Sequence, residues 1–418
     1  MLPSLDIVLD EYSISSANGF LPADPPLAKL PSAYYEPWET IATYLPSLIQ
    51  SGNIRSMIDV LPILSTSFLQ TESEWRRAYS VLGFLTHGYI WGGEKPKDIV
   101  PTCIAKPFLE ISKHLGLPPC ATYAGLTLWN FTAPVDADIS NPDNLSLLTS
   151  FTGTTDEEWF LVISVAIEAK GGKLVTLMLD AIAAVTANDA PRLTALLCRF
   201  TDGLRDFNDT LKRMHERCHP DVFFHQLRPL LAGSKNMAAA GLPSGVFYDE
   251  GDGIGEWHQY CGGSNGQSSL IQTFDIFLGV NHSATGGVSG PSGYLMEMRD
   301  YMPAPHKRFL ETLSHMSNIR SYVMSLQTEP TLKEAYNAAC LMLGSFRDTH
   351  IQIVSRYIIM PSRRGPPQDQ TVERVNLATA SVQVEEIDEK SSGLNGTGGT
   401  SLIPFLKQTR DTTKSATC

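Results

Sequence analysis

The residue best placed to do chemistry is His350. It lies in the stretch EAYNAACLMLGSFRDTHIQIVSRYIIM, from Glu334 to Met360, which reads as a long buried helix. Leu343, Phe346, His350, Ile353, Val354 and Tyr357 recur there at spacings of three and four, so they share one face. That face is apolar apart from the imidazole. Two readings stay open on the residues alone: a core histidine satisfied by a carbonyl, or a ligand for a metal or for haem iron.

A second arrangement competes with it. His215-Glu216-Arg217-Cys218-His219 has the spacing of a zinc hydrolase helix, with two histidines on one face, a glutamate between them to act as base, and His225 where a third ligand would stand. Against it, Pro220 ends the helix at once and Val222 occupies the place where the turn to a third ligand wants glycine. Histidines near a helix end are also favoured by its dipole.

Three further stretches carry polar groups that could meet a ligand. In DVFFHQLRPLL, Phe224 and Arg228 stand at i and i+4 with Phe223 on an adjacent face, and a guanidinium is the group that pairs both oxygens of a carboxylate. In CGGSNGQSS, two glycines before Ser264 let backbone approach a flat ligand, and a helix starting near Gly266 would point free amides at it. Gly396-Thr397-Gly398-Gly399-Thr400 could fold into an anion nest or serve as a flexible linker. Gly251-Asp-Gly-Ile-Gly255 resembles a fragment of a dinucleotide loop but follows no alternating β and α pattern.

The elements that must hold these residues are helices. Residues 1 to about 35, interrupted by Pro22, Pro25, Pro26 and Pro31, read as an extended surface arm. Helices are expected from about Tyr35 to Ser51, from Ile54 to Leu61, from the capping box at Thr71 and Glu74 to about Tyr89, and from Ile104 to Leu115. CATYAGLTLWNF reads as a core helix, and the polar loop TAPVDADISNPDN after it is the best domain boundary. A second capping box, Thr155-Asp156-Glu157-Glu158, opens WFLVISVAIEA, apolar on nearly every side and so buried. Helices from about Gly172 to Ala187 and Pro191 to His215 follow, and the polar run 361–393 reads as a mobile loop. The expectation is an all-α protein of two domains, 1–150 and 151–418.

Composition narrows the function. With 32 Lys plus Arg against 44 Asp plus Glu, a formal net charge of -12 and no basic run, the chain offers nothing to nucleic acid or an anionic membrane. Its seven cysteines are scattered and never spaced Cys-x-x-Cys, the usage of a reducing compartment. Asp6, Asp10 and Glu11 stand where a signal peptide would be basic or uncharged, no apolar run has the length of a membrane span, and the final SATC resembles no targeting signal. A cytoplasmic monomer is expected.

In order along the chain, LPSLIQSGNIR, THGYIWGG, CGGSNGQSSLIQTFDIFLG, MRDYMPAPHKRFL, RDTHIQIVSRYI and GTGGTSL resemble the indoleamine 2,3-dioxygenase family, in its fungal form. The resemblance implies a two-domain helical fold holding haem b, with His350 as proximal iron ligand and Ser264, Arg347 and Asp275 around the cofactor. It implies substrate contacts from Tyr123, Leu126, Trp159, Ile163, Phe223, Arg228, Gly263 and Thr397, with Phe223 on the indole, Arg228 on the carboxylate and the Thr397 turn acting as a lid. Trp159, Phe160 and Ile163 would face the indole or oxygen; the distal serine of animal relatives matches Ile163, with Ser164 one place later.

The activity implied is cleavage of the indole C2–C3 bond of L-tryptophan, or a related indoleamine, by dioxygen to give N-formylkynurenine. This is the first step of the kynurenine pathway towards NAD, and it needs no acid or base residue. Two alternatives are a low-turnover haem or indole-binding relative of the same fold, and a zinc hydrolase using His215 and His219.

Overall fold

The computed structural model describes residues 7–282, 291–326, 328–364 and 402–418. The helices that frame the fold are α1 (Glu36–Gln50), α2 (Ile54–Asp59), α3 (Glu72–Trp91), α4 (Thr102–Leu115), α5 (Thr155–Thr186), α6 (Ala190–Lys212), α7 (Ser269–Leu278), α8 (Ala304–Met316), α9 (Pro330–Val354) and α10 (Leu402–Lys414). The fold is all-α, with minor sheet: β1 (Ile99–Val100), β2 (Phe131–Thr132), β3 (Ser146–Leu147), β4 (Val246–Gly251) and β5 (Ile254–His258). In one sheet β4 lies between β1, parallel to it, and β5, antiparallel; β2 and β3 pair antiparallel. Gly251 to Gly255 is the tip of the β4–β5 hairpin, where Gly251, Asp252 and Gly253 all have positive φ. These glycines serve a tight turn, not a nucleotide.

Local chemistry sets the helix starts. The Thr71 hydroxyl accepts the Glu74 amide at 3.3 Å, and the Glu74 carboxylate accepts the Gln70 amide at 3.2 Å, which opens α3. The second box lies one residue earlier than expected: Thr154, not Thr155, accepts the Glu157 amide at 3.2 Å. The Glu157 carboxylate turns back to the amides of Phe151 and Thr152 at 2.7 and 2.6 Å.

The expected break near Gly172 is absent. α5 runs on through Gly171 and Gly172 to Thr186, because these glycines provide space rather than a stop. A Cβ on Gly172 would lie 2.4 Å from the Gly19 amide nitrogen, so their absence of side chains lets the N-terminal arm lie directly on the helix. The arm has no long helix, yet it is more than a surface strap: Ile14, Phe20 and Leu21 are buried, and the Phe20 ring meets His306 and Phe309 of α8 edge-on at 4.9 and 5.8 Å.

α6 packs on α5 and α9, and α10 lies along α9. Phe200 and Phe207 of α6 meet Phe274 of α7 edge-on, and Phe207 also meets Phe346 of α9 at 5.7 Å. Each fully buried ring among them contributes about 1.5–3 kcal/mol of transfer free energy. Among the described residues no helix is long and apolar enough to cross a membrane.

Candidate functional site

One cavity gathers most of the chemically notable side chains. α9 and the π-helical turn after it, Ser355–Ile359, contribute Phe346, His350, Ile353 and Tyr357. Of the expected shared face, Phe346, His350, Ile353, Val354 and Tyr357 line this cavity, while Leu343 is packed in the core. His350 has no hydrogen-bond partner among the described residues, so the carbonyl required by the core-histidine reading is not there. Burial, helped by the nearby Arg347 charge, pulls its pKa down to about 4 and leaves a neutral imidazole at physiological pH. A neutral ring with a free nitrogen on a rigid helix suits iron ligation.

Arg347, one turn before His350, is locked from two sides. Its Nη2 donates to both Asp275 carboxylate oxygens at 2.8 and 2.7 Å, and Nη1 donates to the Thr413 hydroxyl of α10. His282 Nε2 lies 3.1 Å from the same carboxylate. Asp348 next door takes Arg410 at 3.1 Å and Lys414 at 2.6 Å, both from α10. α10 is thus tied to the helix bearing the imidazole while its Phe405, Leu406 and Thr409 complete the cavity wall.

Phe223 and Arg228 reach the cavity from a short helical segment, Pro220 to Leu231, that includes a π-helical turn at Phe223–Leu227. The Phe223 ring lies 4.8 Å from Phe160 and 5.8 Å from Tyr357. Arg228 is buried, and burial lowers its pKa to about 10, still a cation at neutral pH. A guanidinium on a cavity wall is the group that can pair both oxygens of a carboxylate. Behind it, α3 fixes the segment: His87 Nδ1 lies 2.9 Å from the Leu230 carbonyl and Trp91 Nε1 donates to the Ala232 carbonyl at 2.8 Å. His87 Nε2 accepts the Ala121 amide at 3.0 Å, which fixes its tautomer and joins this segment to the Tyr123 wall.

That wall is a π-helical turn, Ala124–Leu128, where a core helix was expected; Tyr123, Leu126 and Thr127 face the cavity. It is tied to the glycine-rich turn by the Tyr123 amide, which donates to Gln267 Oε1 at 2.8 Å, and by Gln267 Nε2, which donates to the Gly262 carbonyl at 2.9 Å. A Cβ on Gly262 would lie 2.1 Å from the Leu231 carbonyl oxygen, so only glycine lets this turn lie against the Arg228 segment. Gly263 and Ser264 line the cavity, and the Ser264 hydroxyl is 3.3 Å from that of Tyr294. The α-helix after the turn starts at Ser269 rather than near Gly266, capped by Ser268.

Two expected contacts are not there. Trp159 and Ile163 do not line the cavity. Trp159 donates from Nε1 to the Arg213 carbonyl at 2.8 Å with the Arg217 guanidinium over its ring, and Ile163 is packed in the core. Phe160, Leu161, Ser164 and Ile167 face inwards instead. One residue is a rotation of about 100° on a helix, so an ungapped match one place out turns the wrong stripe inwards. Thr397 and its turn lie outside the described residues.

The zinc arrangement does not form. The chain leaves the helix in a tight turn at Arg213–Glu216; the His215 ring bonds the Tyr357 hydroxyl at 3.1 Å, and an exposed His219 bonds Asp156 at 2.8 Å. Among the described residues no three metal-ligating side chains converge.

The sequence left Ser164 only as the neighbour of Ile163, and it missed the α10 group. Ser164 and Glu168, four apart, are the polar members of an apolar run, which marks one stripe as special. Phe405, Thr409 and Thr413 are likewise spaced by four.

Comparison with known proteins adds the following. A family model described as indoleamine 2,3-dioxygenase matches residues 8–416. The chain is 43% identical over 424 residues to indoleamine 2,3-dioxygenase nanC of Aspergillus nanangensis, covering 100% of this chain and 98% of that one. It is 41% identical to the indoleamine 2,3-dioxygenase of Saccharomyces cerevisiae, covering 97% and 93%. It is also 38% identical to 6-hydroxytryptophan 2,3-dioxygenase fscD of Fusarium equiseti, covering 96% of each chain.

Proposed function

This chain belongs to the indoleamine 2,3-dioxygenase family, oxidoreductases that act on tryptophan-type indoles, and we propose that its own reaction is oxidative opening of L-tryptophan to N-formylkynurenine at a haem b held by His350. The observation that carries this reading is one apolar cavity lined by both a neutral imidazole without a hydrogen-bond partner and a buried guanidinium. The donor set fits the cofactor. His350 would supply a nitrogen to the iron, the Gly263-Ser264 turn would offer backbone close to the cofactor, and the Arg347–Asp275 pair would brace the helix that bears His350.

When bound, the haem supplies the iron chemistry that activates dioxygen; the protein's part is placement. Arg228 would pair the amino acid's carboxylate, and the Phe223 and Phe160 rings would sandwich or edge the indole. The apolar side chains of the wall, among them Leu126, Leu161, Ile167 and Val354, would exclude water, and reaction would gain from orientation rather than from an acid or base. Residues 1–150, which bring Tyr123 and Leu126, and residues 151–418, which bring Arg228 and His350, form the two parts of this proposal.

The test is an absorption spectrum of purified, haem-supplemented protein, ferric and then reduced under carbon monoxide, followed by turnover with L-tryptophan. A histidine-ligated spectrum that shifts with tryptophan, together with N-formylkynurenine formation, supports the reading. Haem and tryptophan binding without product would point to the low-turnover relative, and no haem uptake would overturn the proposal.

A second reading of the substrate has its own observation. The Thr127 and Ser164 hydroxyls are on the cavity wall and bond to no described residue, so a ring-hydroxylated tryptophan could be recognised there, as the name of the Fusarium relative suggests. Competition between L-tryptophan and its 6-hydroxy form for turnover decides the preference.

A further inference from the structure

Asp348 follows Arg347 on α9 and does not line the cavity, yet it bears on the cavity wall through α10. Its carboxylate takes two cations of that helix, Arg410 Nη1 at 3.1 Å on one oxygen and Lys414 Nζ at 2.6 Å on the other. Arg410 also pairs with its neighbour Asp411 at 2.7 Å. The Lys414 stem lies close along α9 because residue 344 is glycine: a Cβ there would stand 2.8 Å from Lys414 Cγ.

Two neighbouring stripes run along α10 at a spacing of four, Phe405-Thr409-Thr413 and Leu406-Arg410-Lys414. In both, the early members line the cavity and the late members hold α9, Thr413 through Arg347, and Arg410 with Lys414 through Asp348. The anchoring continues past the helix. The Cys418 amide donates to Asn337 Oδ1 at 2.8 Å, and Arg320 Nε donates to the Ala416 carbonyl at 3.1 Å. At the cavity end the hold is slighter: Phe405 and Leu406 are half-buried, and Phe405 meets Tyr294 edge-on at 4.8 Å. From Lys414 to Leu406 is about 12 Å along the helix axis, so the attachment at one end sets where the wall stands at the other.

That attachment is polar. The Thr409 and Thr413 hydroxyls both donate to carbonyls of their own helix at 2.9 Å. The side chains of Asp348, Arg410 and Lys414 are 33%, 24% and 39% exposed, so dissolved ions screen their pairing. The Arg347–Asp275 pair, 9% and 7% exposed, is sheltered from them.

We propose that Asp348 is a positioning residue for the cavity: it latches α10 so that Phe405, Leu406 and Thr409 complete the wall, and the latch loosens as salt rises. This rests on the cavity holding haem and tryptophan, so the first readout uses neither.

Amide hydrogen exchange is followed in peptides covering residues 403–409, 331–346 and α6, in haem-supplemented wild type, Asp348→Asn and Asp348→Glu, at about 0.05 and about 0.5 M NaCl. Asn keeps the volume and loses the charge; Glu keeps the charge. In Asp348→Asn the 403–409 peptide should exchange roughly 2- to 30-fold faster, the range for two half-exposed ion pairs, with α6 unchanged and Glu restoring most of the protection. Salt should speed exchange of this peptide in wild type and change it little in Asp348→Asn. KM for L-tryptophan and the rate of haem loss to an excess of a haem-scavenging apoprotein should rise together with exchange, and kcat should change less. Salt also screens the Arg228 pairing, but equally in every variant, so the difference between wild type and Asn belongs to the latch.

Equal exchange of 403–409 in wild type and Asp348→Asn would overturn the proposal, as would faster exchange spread equally over α6, the mark of a general loss of stability. Faster exchange confined to 403–409 with KM and haem loss both unchanged would overturn it too, since α10 would then shape nothing in the cavity. If the protein takes up no haem or turns over no tryptophan, the functional reading fails by that result, and exchange in 403–409 still decides whether Asp348 latches α10.

Discussion

Arg347 holds Asp275 through a single guanidinium nitrogen, with Nη2 at 2.8 and 2.7 Å from the two carboxylate oxygens, in a pair that is buried on both sides. A buried pair of this kind reveals itself when one partner is removed. Asp275→Ala should cost about 3–5 kcal/mol in urea unfolding, because Arg347 keeps its charge and loses its counterion. Burial raises the Asp275 pKa, but Arg347 and then His282 outweigh it and bring it to about 2. A depressed folded value means stability present above the ordinary aspartate range and lost as pH falls through about 2. An acid-unfolding curve unchanged in Asp275→Asn would remove Asp275 from this account.

His350→Ala should leave the fold intact, since the ring makes no hydrogen bond to the described residues and the cavity already adjoins it. Haem titration is the measurement. The Soret band of a histidine-ligated haem should be lost or shifted, with circular dichroism and Tm near wild type. Retained wild-type spectrum and turnover would exclude His350 as the axial ligand.

Arg228→Ala should weaken L-tryptophan binding far more than haem binding. A charge-assisted pair contributes about 1.5–3 kcal/mol, so an increase in KM on the order of 10- to 150-fold is expected, with Lys restoring only part because it lacks the planar fork. A substrate analogue without the carboxylate should lose its discrimination between wild type and variant. Equal KM values for tryptophan would refute the pairing.

His87 and Trp91 stand one turn apart on α3 and hold the carbonyls of Leu230 and Ala232, just beyond Arg228. Removing the His87 ring orphans a buried carbonyl and the Ala121 amide, each worth about 1–3 kcal/mol. His87→Ala should therefore lower Tm and also raise KM for tryptophan, with a smaller effect on kcat. Since burial lowers the His87 pKa to about 4, the ring stays neutral and the effect should not vary between pH 6 and 8. A loss of Tm with unchanged KM would reduce the pair to a structural role.

How much of this was legible in the sequence depends on whether a signal was local. Helical periodicity around His350 was enough to define a face, because side chains at i, i+3 and i+4 must point together whatever packs on them. The Thr71 cap was legible for the same reason. What failed was information held elsewhere in the chain. Gly171-Gly172 looks like a stop until the arm at Gly19 is seen to need the space. The HExxH spacing looks like a metal site until the chain leaves α6 in the turn Arg213–Glu216 and Tyr357, far along the sequence, takes the His215 ring. The α10 wall could not be anticipated from residues 402–414 alone, because its partners Arg347 and Asp348 lie 62 to 66 residues earlier in the chain.

The rotation of α5 gives the sharpest test, since two adjacent residues make opposite predictions. Ser164 lines the cavity beside Phe160, whereas Ile163 is fully buried in the core and touches none of it. Ser164→Ala removes one cavity hydroxyl and creates no strain; it should leave the unfolding free energy within about 0.5 kcal/mol of wild type and change the tryptophan kinetics, by the loss of one hydrogen bond of about 0.5–1.5 kcal/mol. Ile163→Ser does the reverse. It buries an unsatisfied hydroxyl and opens a void, costing about 2–5 kcal/mol of stability, while haem uptake and KM in the folded fraction stay near wild type. Were Ile163→Ser to alter kinetics and Ser164→Ala only stability, the helix would be turned by one residue and Trp159 would return to the substrate's side.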